Sequence, residues 1–156
     1  MFELQELQFR NVKIGVKPKM TRRECREHLM IMFFQREFHD VEELTEQMEY
    51  YLDDIIAPKS EDIAYIRNKY EKASEYIGEI DAMLEEVSEG WKVKRMGKVD
   101  LSIMRLAVYE MKYDDEIPVR VAINEAVEIA KKYGQDNSPS FVNGILAKVA
   151  ELVAKG

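Results

Sequence analysis

At 156 residues, with 46% hydrophobic and 34% charged residues, four prolines and seven glycines, the chain can bury a core as one domain or two small lobes and can sustain long helices, which excludes a disordered chain. A single cysteine, Cys25, excludes an intrachain disulfide, no run reaches the roughly eighteen apolar residues of a membrane span, and Met1 to Met20 lacks the apolar core of a signal peptide; a reducing, cytoplasmic setting without membrane contact is expected. The net charge of −7 disfavours nucleic acid over most of the surface, but Arg10 to Arg26 carries seven bases against one acid while Val41 to Gly90 carries fifteen acids against four bases, so a polyanion is expected only near the basic end.

Residues 1–19 alternate weakly and end in Gly15-Val16-Lys17-Pro18-Lys19, a breaker cluster that separates an arm or short strand from the helical region beyond it. Met20 could itself be a translation start. Thr21-Arg22-Arg23-Glu24 has the form of a capping box and starts a helix with Cys25, Leu29, Met32, Phe33 and Arg36 at spacings of three and four, ending near His39-Asp40. A second helix is predicted from Val41 to Ile56, ended by Pro58, and a long third one from a cap at Ser60 to about Ser88. Gly90 stops it. A helix capped by Asp100 runs from Leu101 to Tyr113 and is apolar nearly all round, so it belongs in the middle of a bundle. Ile117-Pro118 opens a helix to Tyr133 that stops at Gly134, and Ser138-Pro139 opens the last one, with Phe141, Val142, Ile145, Leu146, Val149, Leu152 and Val153 at helical spacing. The expected fold is all-α, with short connections that suit bundles. The expected divisions are an arm (1–19), an N-terminal helical lobe (20–90) and a C-terminal helical lobe (91–156).

Catalysis has little to work with. His28 and His39 lie in no nucleophile constellation, and Cys25 with His28, three apart on one helix, lacks a second pair to complete a metal site. No glycine-rich phosphate loop occurs, and pairs such as Glu42-Glu43, Asp53-Asp54 and Glu85-Glu86 lie on predicted solvated faces. No enzymatic activity, cofactor or metal is expected. Binding is better supported: Arg22, Arg23 and Arg26 fall within about a 100° arc of one helix, so three guanidiniums could meet one phosphate backbone. A salt-bridged helix start using Glu24 and Glu27 is the structural alternative. Arginines at a helix N-terminus oppose the macrodipole, which hints at a role outside the fold.

The second half carries a resemblance. Trp91, Val99 to Glu110 (VDLSIMRLAVYE), Ile117-Pro118, Ile123 to Gly134 (INEAVEIAKKYG) and Ser138 with Phe141 to Leu146 (FVNGIL) occur in an order and spacing that resemble the NusB family. The resemblance covers Thr21 to about Leu152, and residues 1–19 lie outside it. It implies a NusB-like fold of two packed three-helix bundles. It also implies a transcription antitermination adaptor that binds the boxA element, a single-stranded RNA of ribosomal RNA leader transcripts, together with NusE, a small-subunit ribosomal protein, in the RNA polymerase elongation complex. By position, Arg22, Arg23 and Arg26 resemble the family's RNA-binding helix, and Asp136, Asn137 and Phe141 resemble a second RNA-proximal patch. Here the chain reads Asp136-Asn137-Ser138 where the family pattern is Glu-Asp-Ser, one negative charge fewer; a strengthened RNA contact and a mere cap variant both fit.

Other residues of the pattern suit structural roles. Asn124, Glu125, Arg105 and Asn143 are expected as paired or capping groups, Gly144 beside Phe141 as a site of close helix packing, and Trp91 and Tyr109 as core or lobe-interface anchors. A protein-binding or dimerising helical scaffold without direct RNA contact is the alternative function, and monomer and homodimer are both compatible with the sequence. A fused RNA methyltransferase, known for NusB-like domains, would need a catalytic domain after Leu152, for which this sequence has no room.

Overall fold

The computed structural model describes residues 20–55 and 60–154; the arm at 1–19, Pro58 and the approach to the Ser60 cap lie outside the described residues. Among the described residues the elements are seven α-helices: α1 (Arg22–Arg36), α2 (Leu44–Asp53), α3 (Ser60–Glu75), α4 (Ile77–Val87), α5 (Lys98–Tyr113), α6 (Val119–Tyr133) and α7 (Ser138–Leu152). Short 3-10 turns precede α2 (Val41–Glu43) and α5 (Val93–Arg95). The fold is all-α. The chain divides into two compact units between Lys72 and Ala73, within α3.

In the first unit, α1 starts where the capping box places it. The Glu24 N–H donates to Thr21 Oγ1 at 3.1 Å and the Thr21 N–H donates to Glu24 Oε1 at 2.9 Å, which satisfies two amides that the helix cannot satisfy itself. From Glu24 to Phe34 every residue of α1 is buried, a wider buried surface than the predicted stripe. Edge-on packing of His28 against Tyr51 joins α1 to α2, and the Phe33 and Tyr70 rings, 4.9 Å apart, join it to α3. An ion pair between Arg67 and Glu49 ties α3 to α2. The Met20 N–H donates to the buried carboxylate of Asp62 at 3.0 Å, anchoring the entry to α1 on α3.

The long third helix expected from Ser60 to Ser88 is interrupted. Tyr76 leaves the helical region at φ −106°, ψ 8°, and its N–H turns back to Ala73 O at 3.0 Å before α4 begins. The apolar positions Ala73, Ile77, Ile80 and Leu84 keep their spacing across the break, so periodicity alone reads as one helix. The first unit thus holds three helices, and the second adds α4 to the three that come after Gly90.

In the second unit α5 packs on α4, α6 and α7, and every residue from Leu101 to Met111 is buried, as expected for a central helix. Its start lies slightly earlier than expected: Gly97 is the N-cap and Asp100 sits in the first turn. The charge it carries inward is matched, because Arg105 donates through Nε and Nη2 to both carboxylate oxygens of Asp81 on α4 at 2.9 and 2.8 Å. Tyr76, Tyr109 and Tyr113 form a ring cluster beside it, the Tyr76 and Tyr113 rings stacked with centroids 3.9 Å apart. Pro118 caps α6, one position before the first helical turn where it was expected.

Gly134 explains the tight turn between α6 and α7. A Cβ there would lie 2.5 Å from the Ser138 side chain and 2.8 Å from Ala130 O, so no larger residue fits without displacing one of the helices. Gly144 corrects an expectation: beyond its own stretch of helix, no atom of the described residues lies within 4 Å of where its Cβ would be, so it sits at no close helix contact and faces open space. Trp91 corrects another, because at 59% exposed it is part of no core, while Tyr109 at 6% is buried as expected.

Candidate nucleic-acid interface

The sequence places its RNA candidates on α1 and α7, which belong to different units, and each group is built separately. On α1 the capping box fixes the first turn, so the side chains of residues 22, 23 and 26 leave the helix at set angles. Arg22 and Arg23 are exposed. The Arg22 guanidinium carbon lies 3.8 Å from the centroid of the Tyr65 ring on α3, a cation–π contact, and the Arg22 side chain also hydrogen-bonds the Cys25 thiol. Lys69 Nζ, 5.0 Å from the same centroid, donates to the Tyr65 hydroxyl at 2.8 Å. Arg26 differs. It is only 5% exposed and is engaged within the chain, so the structure does not bring its guanidinium to the surface beside the other two. The helical period gives the angle at which a side chain leaves the helix, and all three arginines share an arc, but the angle does not reveal how deep the neighbouring chain stands around each one.

Beneath this start the helix is dry. Cys25 is fully buried and desolvation holds its thiol above the ordinary value, which keeps it protonated and poorly nucleophilic. His28 is buried, its Nδ1 2.7 Å from the Tyr51 hydroxyl, and desolvation lowers its pKa to about 4 against the raising effect of Glu24, so at neutral pH it adds no charge. Among the described residues no group of three His, Cys, Asp or Glu side chains is arranged to hold a metal ion. Among them, too, no helix is long and apolar enough to cross a membrane.

On α7 the candidates sit at the exposed end of the helix. Asn137 is the N-cap residue, yet its side chain makes no capping hydrogen bond. The carboxamide is exposed and stays available to a ligand. Local satisfaction comes from Ser138 instead, whose buried Oγ accepts from the Gln135 N–H at 2.9 Å. Phe141, one turn on, is 36% exposed while its neighbour Val142 is fully buried, so the ring lies at the boundary between core and solvent. Asn124 and Asn143, expected as paired or capping groups, are exposed, as are Gly144, Ala147 and Lys148 on α7. Exposure of Asn143 and Gly144 was open to inference, since they fall out of phase with the buried positions Val142, Ile145, Leu146 and Val149.

What this arrangement offers is recognition rather than chemistry: fixed cations at one helix start, and an amide and an aromatic edge at another. Comparison with known proteins gives the family. The NusB family profile matches residues 23–151. A curated protein of Lachnoclostridium phytofermentans named transcription antitermination protein NusB is 57% identical over 132 residues, covering 85% of this chain and 100% of its own. Another of the same name, from Agathobacter rectalis, is 54% identical over 131 residues, covering 84% and 100%. Among solved structures, NusB of T. maritima superposes with a TM-score of 0.74 at 35% identity, covering 85% of this chain and 92% of that one. A structure of antitermination factors NusB and NusE in complex with dsRNA has the same fold, with a TM-score of 0.69 at 22% identity over 84% of this chain and 96% of that one. With a family match over most of its length and whole-length relatives above half identity, the chain belongs to the NusB family and is not an enzyme.

Proposed function

We propose that this protein is a cytoplasmic transcription antitermination adaptor that binds boxA-type single-stranded RNA of ribosomal RNA leaders together with NusE and joins the RNA polymerase elongation complex. The observation that carries the reading is identity of 57% across the full length of a curated antitermination protein, far above what a shared fold alone requires. The fold-level neighbour seen with NusE and dsRNA supports an RNA-binding role.

The chain's own surface supports it as well. Arg22 and Arg23 form an exposed cationic pair, and the Tyr65 ring holds one of them preformed, which lowers the entropy lost on meeting a phosphate. Asn137 and Phe141 supply a donor–acceptor amide and a stacking surface. Arg26 is buried and engaged within the chain. The exposed carboxylates Glu42, Glu43, Glu46, Asp53 and Asp54 on and around α2 suit a basic partner such as a ribosomal protein.

Fluorescence anisotropy of labelled boxA RNA, with a scrambled RNA as control, tests the reading. Binding that prefers boxA and tightens when NusE is added is expected. Equal binding of the two RNAs, or none in the presence of NusE, would leave the scaffold alternative instead.

A further inference from the structure

The turn between α4 and α5 is the most cationic short surface of the second unit. From Trp91 to Lys98 the sequence holds four bases, Lys92, Lys94, Arg95 and Lys98, and no acid, in a chain of net charge −7. Trp91 is 59% exposed, an unusual place for the largest apolar side chain in a protein with ample core. Lys94 and Arg95 are exposed and form no ion pair among the described residues.

The turn is also well fixed. Glu89 (φ 53°) and Gly90 (φ 93°) both adopt the left-handed region and reverse the chain, and the Trp91 N–H closes the turn on Ser88 O at 3.2 Å. Glu85 then holds the far side: its Oε2 accepts the Val93 N–H at 2.9 Å, and its Oε1 lies 3.8 Å from Lys92 Nζ. The 3-10 turn ends on Met96, which is buried at 4%. An indole and two cations that form no ion pair among the described residues are thus presented from a hydrogen-bonded turn, which suits a ligand with flat apolar faces and flanking negative charges.

That surface is continuous with α7. Lys148 Nζ lies 3.8 Å from Glu89 Oε1, next to the turn, and Lys148 stands seven residues beyond Phe141, two helical turns or about 10 Å along the same face. Between them Gly144 faces open space. A strand leaving Phe141 can therefore follow the exposed face of α7 to the turn.

We infer that the Trp91 turn is a further contact for single-stranded RNA, in which the indole stacks on an unpaired base while Lys94 and Arg95 meet flanking phosphates. This rests on the RNA-binding reading above and extends its surface beyond Asn137 and Phe141. An acidic peptide would use the cations but gives the indole no flat partner.

Trp91 is the only tryptophan in the sequence, so its emission reports on this turn alone. The full chain is titrated with boxA single-stranded RNA, reading tryptophan emission in one series and the anisotropy of labelled RNA, with and without NusE, in a parallel one. Emission is expected to be quenched with the same midpoint as the anisotropy. Trp91→Ala should weaken binding about 5- to 150-fold, the range that loss of one stacked base gives, and Trp91→Phe should restore most of it. Lys94→Ala with Arg95→Ala should flatten the dependence of log affinity on log salt by about 1.4. Circular dichroism confirms that each variant is folded.

RNA binding with unchanged emission and unweakened variants would overturn the inference and leave the RNA-binding reading standing. Quenching without loss in any variant would mark a bystander and also overturn it, as would variants that lose NusE but keep RNA. No RNA binding by the unaltered chain, with or without NusE, would overturn both.

Discussion

Replacing Arg22 and Arg23 with alanine, and separately replacing Arg26, distinguishes three residues that share an arc of α1 but not an environment. All three are engaged within the chain, but Arg22 and Arg23 are exposed, whereas Arg26 is only 5% exposed. Each phosphate neutralised on a single strand contributes about 0.7 to the salt slope, so Arg22→Ala/Arg23→Ala should flatten it by about 1.4. Across the interval from 1 M down to 0.15 M salt, that difference grows to about tenfold in affinity, and it should vanish at the high-salt end. The double variant also loses the contact of Arg22 with Tyr65, about 0.5–1 kcal/mol at an exposed site, which should lower the thermal midpoint by about 1–4 °C and leave the fold intact. Arg26→Ala should do the reverse: a slope unchanged, and a loss of stability on the order of 1–3 kcal/mol from deleting an engaged buried group. The assay is boxA RNA affinity in the presence of NusE at four or more salt concentrations, with a thermal melt of each protein. An unchanged slope in the double variant would mean that the pair is only a solvated helix start. A slope loss in Arg26→Ala equal to that of the double variant would mean that α1 binds RNA in an arrangement other than this one.

Three other outcomes are expected. Phe141→Ala should weaken RNA binding by about 1–3 kcal/mol with little change in salt slope and, because the ring is 36% exposed, a smaller stability loss than the roughly 3–5 kcal/mol of a fully buried phenylalanine; paired binding and melting curves decide, and a full core-sized loss would remove its stacking role. A chain beginning at Met20 should keep its thermal midpoint within about 8 °C, because its new terminal ammonium would face the Asp62 carboxylate now bonded to the Met20 amide; a larger drop would mean that residues 1–19 contribute more than about 2 kcal/mol. His28 is held near pKa 4 against an unfolded value near 6.5, so the unfolded chain binds its proton first as pH falls. The associated stability is complete above about pH 6.5 and lost between there and pH 4, on the order of 3 kcal/mol; denaturant melts of the native chain and His28→Gln should converge toward pH 4, and parallel curves would contradict this.

How much of this was readable in advance depends on the quantity each signal measures. The Thr21 capping box is a local pattern with one geometry, and the helix begins there. The all-buried run from Leu101 to Met111 was visible because only a central helix tolerates apolar residues on every side. The break at Tyr76 was hidden because the apolar spacing runs through it unchanged. Gly134 and Gly144 look alike as glycines in a helical pattern, and only three-dimensional neighbours separate the one where a Cβ would collide from the one that faces open space. Arg22, Arg23 and Arg26 pose the same difficulty, since periodicity gives direction and not depth. A core place for Trp91 was expected because aromatic residues are usually core, and its exposure follows the turn that Glu89 and Gly90 make.

The most direct test of the antitermination reading is transcription of a template carrying boxA upstream of a terminator, in a reconstituted system that contains NusE and RNA polymerase but no other NusB. Adding this protein should raise read-through on that template and leave a boxA-deleted template unchanged. Equal read-through on both templates, or no response on either, would contradict the account.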